Sequence, residues 1–285
     1  MSSAGADTDI TAEVRDTVIT SGRRSVALEI GEIWENRELL YFLTWRDVAV
    51  RYKQAALGVA WAIIQPVMTM VVFSIIFGRL ANLPTGGIPY PLFSYAGLLP
   101  WQLFSGAVQR ASDSVVANQQ LVTKVYFPRL VIPLSAVGAS LVDTALAAIV
   151  FVGMMLYYRV PLTPRLALVP AIVLGVVVAS LGVGTWLAAL NVKYRDVRHA
   201  VPFLLQLWMY ASPVAYSALL LPKGLWSFVY YLNPMAGLIE ATRWALVGGP
   251  APGAVAWVSV ITTALFLVLG GAYFRRTEQT FADVI

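Results

Sequence analysis

The chain has no cysteine, which removes disulfide frameworks and thiolate metal sites from consideration. Its single histidine, His199, excludes a His-cluster metal centre, so no metal is expected. Charge is scarce: 12% of the 285 residues are Asp, Glu, Lys or Arg, about half the share found in soluble domains. No G-x-x-x-x-G-K-[ST] occurs, so the chain carries no phosphate-cradling P-loop of its own. One histidine leaves no plausible Ser/His/Asp set, and no paired carboxylates fall on one predicted face of a bilayer. Transport, channel or scaffold roles remain.

What is abundant is apolar, at 59% of residues. Residues 55–78 read AALGVAWAIIQPVMTMVVFSIIFG without a charge. At about 1.5 Å per residue this helix reaches roughly 36 Å, enough to cross a hydrocarbon core about 30 Å thick. Span one is placed at 57–78, and comparable stretches follow at 92–111, 130–158, 166–190, 201–221 and 254–274. The fourth carries Gly175, Ala179, Ser180, Gly182 and Gly184, small residues that allow close helix packing. Residues 226–249 differ: Pro234 splits them, and Glu240 and Arg243 load the second half. A continuous span would bury both charges at about a few kcal/mol each. Two short half-inserted helices that return to the same side are predicted instead. The expected fold class is therefore an all-α integral membrane protein. It has six transmembrane helices, an N-terminal amphipathic interface helix, and an external re-entrant helix pair before the last span.

Three regions follow. Residues 1–28 are polar, lack the apolar core of a secretory signal, and are expected to be a flexible cytoplasmic tail. Residues 29–54 place Ile30, Ile33, Trp34, Leu40, Leu43 and Val50 at helical spacing among charged positions. That pattern suits a helix in the headgroup plane. A water-soluble helix docked on a partner is the alternative, and both can hold at once. Residues 55–285 form the transmembrane domain. The net charge of +5 reads as orientation rather than as a nucleic-acid footprint. With six spans and both termini in the cytoplasm, 15 of the 20 Lys and Arg residues fall inside, in accord with the positive-inside rule.

Asp143 is the one carboxylate predicted near the bilayer centre, and an intramembrane charge is a functional candidate by default. A proton relay would need further ionisable groups in neighbouring spans, whose clean segments have none. Hydrogen bonds from Ser, Thr or Asn on an adjacent helix are the expected environment. Two loops, 123–129 (TKVYFPR) and 191–198 (NVKYRDVR), are basic and aromatic. Headgroup anchoring and docking of a cytoplasmic motor protein both explain them. Trp61, Trp101, Phe104, Trp186, Trp208 and Tyr210 fall within spans, where helix packing or stacking against sugar rings are the alternatives.

The run ELLYFLTWRDVAVRYKQAALGVAWAIIQPVMTMVVFSIIFGRL (38–80) closely resembles the start of the ABC-2 type permeases that export cell-surface polysaccharides such as O-antigen, teichoic acid and capsule. LPWQLFSGAV (99–108), NQQLVTKVYFPRLVIPLSAV (118–137), LNVKYRDVRH (190–199) and YLNPMAGLIEATRWAL (231–246) continue the resemblance in family order. It covers residue 29 to the C-terminus and identifies 55–285 as a six-span ABC-2 transmembrane domain. It implies a homodimer in the cytoplasmic membrane of a prokaryote, above two copies of a separate ATPase subunit. That partner would bind ATP and Mg, and no cofactor is expected in this chain. The resemblance implies docking of the ATPase at Lys124, Tyr126, Phe127, Arg129, Lys193, Tyr194 and Arg195. It implies a channel lined partly by aromatics, for which Trp61, Tyr95, Trp101, Phe104, Trp208 and Tyr210 are candidates. The expected substrate is a polyprenyl-diphosphate-linked glycan, held on admission from the inner leaflet by Arg46, Arg51 and Lys53. An ABC-2 exporter of a drug or smaller lipid would share the architecture.

Overall fold

A computed structural model describes residues 26–53, 58–125, 127–220 and 224–281, and every regular element among them is helical. Nearly all of the expected tail, together with Tyr126 of the first basic loop, lies outside the described residues. In chain order the α-helices are α1 (Val26–Glu35), α2 (Arg37–Lys53), α3 (Gly58–Phe73), α4 (Tyr90–Ala117), α5 (Gln119–Lys124) and α6 (Val131–Tyr157). They continue as α7 (Val169–Lys193), α8 (Val197–Tyr210), α9 (Leu225–Tyr231), α10 (Pro234–Val247) and α11 (Trp257–Glu278). The expected amphipathic helix is interrupted once, at Asn36, whose side chain shares the Glu32 carbonyl with its own backbone amide at 2.7 Å and 3.1 Å.

Among the described residues, four helical segments are long and apolar enough to cross a membrane: Val59–Leu80, Val131–Tyr157, Pro164–Lys193 and Ala254–Glu278. They coincide with the expected first, third, fourth and sixth spans. The second expected span lies on α4, whose 28 residues reach about 42 Å but include Gln102, Gln109, Arg110 and Asp113. Protein covers it, because α3, α6, α7, α8 and α10 all pack on α4 and most of its side chains are buried. The fifth expected span differs from a continuous helix over 201–221. Helix α8 stops at Tyr210, and turns follow over 211–216. Pro213 accounts for the stop, since the residue before a proline is pushed out of the α region. Residues 226–249 form the two short helices expected, α9 and α10. Asn233 separates them, and its side chain accepts from the Met235 amide to cap α10.

The bundle has two unlike ends. At one, Leu43 of α2, Val115 of α4, Val122 of α5, Val131 and Ile132 of α6, Val192 of α7 and Phe274 of α11 bury one another. The basic loops emerge there. At the other, Leu92, Tyr95 and Leu99 of α4 pack with Phe151 and Met155 of α6, near the α9–α10 hairpin.

Glycines set the tightest helix crossing. A Cβ at Gly270 of α11 would stand 2.0 Å from the Gly182 carbonyl oxygen of α7, and one at Gly182 would meet the Leu267 amide at 2.6 Å. Two backbones can approach so closely only where neither residue has a side chain. Gly270→Ala is expected to destabilise the protein by about 1–3 kcal/mol, as overpacking does. Gly271→Ala, where nothing lies within 4 Å, should leave stability within about 0.5 kcal/mol. Thermal denaturation of the detergent-solubilised variants checks this, and equal shifts for the two would contradict the crossing.

Candidate functional site

Helix α2 runs beside the first half of α6. Thr44 lies against Gly138, where a Cβ would come within 3.1 Å of the Thr44 side chain. Two turns further on, Arg51 and Tyr52 reach Asp143. Arg110 of α4 reaches the same carboxylate and also donates to Ser140 of α6. One carboxylate thus collects two guanidinium groups and a phenol from two other helices. Both arginines bind Oδ2 and Tyr52 binds Oδ1. Burial, then the hydrogen bond to Asp143, pushes the Tyr52 phenol up to about 12, so it remains a donor at neutral pH. The expected environment of Ser, Thr or Asn is replaced by this cluster. The pairing of α2 with α6 brings charges from outside the apolar stretches to an acid on a helix long and apolar enough to cross a membrane. Two cations against one anion leave the site with a net positive charge.

The other residues proposed to receive the diphosphate behave differently. Arg46 pairs with Asp47 at 2.8 Å and donates to Asn118 at the α4–α5 junction, also at 2.8 Å. Lys53 is exposed.

A cleft of about 140 Å³ opens against the cluster, lined by Trp61, Gln65, Gln102, Ser105, Ser140 and Thr144, with Arg110 and Asp143 in its wall. Its walls mix amides and hydroxyls with one aromatic face, and Trp61 is 57% exposed. Of the other aromatic candidates, Tyr210 is also exposed. Tyr95, Trp101 and Phe104 are buried within the protomer. Tyr95 donates to the Ala147 carbonyl at 3.1 Å and stacks on Phe151, while Trp101 packs on Phe104 and Phe104 edge-on against Trp208. Trp208 spends its indole N–H on the Asn233 side chain at 3.0 Å.

At the basic end, Lys124, Lys193, Tyr194 and Arg195 are exposed, and Lys193 lies over the Tyr194 ring at 5.2 Å. Phe127 is buried in the core, and Arg129 leans over the Phe281 ring. Asn191 ties α7 to α4, donating to the Ser112 carbonyl and to Asp113, and Phe127 of one loop and Val192 beside the other share one buried cluster.

The opposite end holds a residue that no site reading had singled out. Arg243 of α10 is buried, and its guanidinium donates to the carbonyls of Phe93 at 3.1 Å, Val214 at 2.6 Å and Tyr216 at 3.3 Å. It lies 3.7 Å from the Phe93 ring centre. Gly97 makes the space, because a Cβ there would fall 2.5 Å from the guanidinium. Nearby, Glu240 accepts from the Tyr231 hydroxyl at 2.5 Å. Of the two charges that argue against a continuous span in the sequence, Arg243 fastens the hairpin to α4 and to the segment after α8, and Glu240 ties α10 to α9.

The profile of the ABC-2 type transporters matches residues 38–247, and the chain belongs to this family of membrane transporters. It is 30% identical over 252 residues to the O-antigen export system permease protein RfbA of Klebsiella pneumoniae, a match covering 87% of this chain and 95% of that one. The O-antigen export system permease protein RfbA of Myxococcus xanthus is 29% identical over 260 residues, covering 90% and 98% of the two chains. The polysialic acid transport protein KpsM of Escherichia coli is 25% identical over 243 residues, covering 82% and 91%.

Loss of the Arg243 donors would leave several carbonyls unmet in a buried site, each worth about 1–3 kcal/mol. Arg243→Gln is therefore expected to destabilise by about 2 kcal/mol or more, and Arg243→Lys to restore little, since a single ammonium cannot replace the planar fork. Melting curves of the purified variants measure this. A wild-type curve for Arg243→Gln would contradict the assignment.

Proposed function

We propose that this chain is the permease subunit of an ATP-driven exporter that moves polyprenyl-diphosphate-linked polysaccharide across the cytoplasmic membrane. The observation that carries the proposal is similarity, over almost the whole of both chains, to permeases named for O-antigen export. The proposed architecture has six spans with α4 and α8 as the second and fifth, both termini inside, and two copies of the chain around one channel. Sorting of the basic residues to one end supports that orientation. Exposed Trp34, Tyr41, Phe42 and Trp45 on α1 and α2 suit a helix pair at the headgroup level. The α9–α10 hairpin is the external re-entrant pair.

The substrate path begins at α2, where Arg51 and Lys53 present cations to a diphosphate through charge-assisted bonds. It continues past Trp61 and the polar cleft. An aromatic face beside hydroxyls and amides can take a sugar ring by its apolar face while its hydroxyls stay hydrogen-bonded. Tyr210 is the other exposed aromatic on the path. Tyr95, Trp101 and Phe104 give that wall its rigidity from behind. Two copies of a cytoplasmic ABC ATPase supply the energy, docked on Lys124, Tyr126, Phe127, Arg129 and 193–195. Phe127 supports the loop from within, and Lys193, Tyr194 and Arg195 face the partner. ATP and its Mg belong to that partner. Movement passed through the ends of α4, α6 and α7 shifts the spans, and a loosely stacked polymer advances with each cycle.

An exporter of a drug or smaller lipid has one observation in its favour. An apolar cavity of about 510 Å³ lies between α4, α6 and α7, lined by Leu99, Phe151, Met155 and Val173. Depletion of the permease separates the two readings. Polysaccharide export predicts that long lipid-linked glycan accumulates on the cytoplasmic side while surface polymer disappears, measured by mass spectrometry of the two pools. Unchanged pools would overturn it in favour of the smaller cargo. Lys193→Glu combined with Tyr194→Ala is expected to lower export roughly tenfold, the scale of losing an interface hot spot, while the permease still reaches the membrane. Export at the wild-type rate would contradict ATPase docking at this loop.

A further inference from the structure

Asp143 is held by more positive charge than one carboxylate can neutralise. Arg51 and Arg110 come from different helices, meet at the same oxygen, and carry between them one positive charge more than Asp143 neutralises. Their side chains are about a third exposed, at 34% and 27%, and Asp143 at 21%. The cluster is therefore reachable, and the polar cleft opens directly onto Arg110 and Asp143. A carboxylate and a phosphate group present similar planar-fork targets to guanidinium, and the phosphate carries more charge.

We propose that Arg51 and Arg110 form a binding site for a diphosphate, and that Asp143 is its resident counter-ion, occupying the two guanidinium groups until the diphosphate displaces it. This rests on the reading of the substrate as a lipid-linked diphosphate. Asp143 has two roles in the resting state. It supplies one counter-charge to two cations that would otherwise stand beside the apolar spans with none, and it sets a threshold that weak anions do not pass. A ligand that binds only the released arginines has its affinity lowered by the fraction of time they are free. A diphosphate with two or more negative charges can overcome that competition; a phosphodiester headgroup, with one, gains far less. On displacement, the Tyr52 hydroxyl remains as a neutral donor to the freed carboxylate. Of the two arginines that leave Asp143 for the diphosphate, Arg51 sits in the last turn of α2, so arrival of the lipid head is felt by the helix that carries Arg46 and Thr44.

The test uses the full-length permease in nanodiscs of zwitterionic lipid, with farnesyl diphosphate as the lipid-diphosphate probe, inorganic pyrophosphate as the free one, and added phosphatidylglycerol as the headgroup control. Asp143→Asn keeps the shape and removes the competing charge. It is expected to tighten farnesyl diphosphate binding about fivefold or more, and adding Arg110→Gln or Arg51→Gln should reverse the gain. Unchanged or weaker binding by Asp143→Asn, in protein that elutes and melts as a folded species, overturns the proposal and leaves Asp143 a structural staple. Tightening for phosphatidylglycerol alone also overturns it, by assigning the arginines to a membrane headgroup. Tightening for pyrophosphate as well as farnesyl diphosphate supports a site that reads the diphosphate itself. Should Asp143→Asn fail to fold, Arg51→Gln and Arg110→Gln in the otherwise native chain decide. Each is expected to weaken farnesyl diphosphate binding roughly tenfold, and wild-type affinity in both would overturn the site. Binding in nanodiscs does not depend on what polymer is exported, so failure here is distinct from unchanged glycan pools on depletion.

Discussion

The contact of Asp143 with Arg51, Tyr52 and Arg110 is the interaction on which the arrangement of α2, α4 and α6 depends. A lone carboxylate on a membrane-crossing helix is unfavourable by several kcal/mol, and two lone guanidinium groups are no better placed. Brought together they satisfy one another, and the partners lie 91, 92 and 33 residues from Asp143 in the chain. Removing any one member would leave the rest partly unpaired, and breaking such a pair does more harm than never having had one. A helix expected to lie in the headgroup plane is thereby fastened to the bundle at its C-terminal turn, beside the cleft that faces the proposed path of the substrate.

The rest of the bundle divides between close apolar packing and a few polar fasteners. The glycine crossing of α7 and α11 brings two backbones into direct contact, which suits a medium where packing rather than the hydrophobic effect holds helices together. At the far end Arg243 binds three carbonyls, and Asn233 joins α10, Trp208 and Ser212. These contacts hold the hairpin to α4 and α8. The basic end is different, with exposed Lys193, Tyr194 and Arg195 over a buried floor of Val115, Val131 and Val192. One end is closed by internal bonds, and the other presents exposed charge where the proposed ATPase would dock.

Much of this was legible in the chain because membrane helices announce themselves by length and apolarity. The stretches at 130–158, 166–190 and 254–274 became α6, α7 and α11, and Pro234 with Glu240 and Arg243 was enough to foresee the α9–α10 hairpin. Gly182 was noted as a packing residue, though not its partner Gly270. The continuous fifth span was not found, because apolarity over 201–221 masked the stop at Pro213. The Asp143 cluster was half legible. Asp143 and Arg51 were each marked, but for different roles, because nothing in their spacing shows that α2 runs beside α6. Aromatic residues were the least legible of all. Composition cannot tell Trp61, which is exposed, from Trp101, which is buried, since both sit in apolar helices.

The central claim, that α2 is fastened along α6 rather than lying apart from it, is open to direct test because the chain has no cysteine of its own. A Cβ at Gly138 would stand 3.7 Å from the Cβ of Thr44, within the range of about 3.5–4.5 Å that a disulfide spans. Thr44→Cys with Gly138→Cys, oxidised in native membranes, is predicted to give near-complete intramolecular cross-linking, and clearly less when Asp143→Ala is added. Absence of the cross-link in the pair, or a yield indifferent to Asp143, would contradict the account.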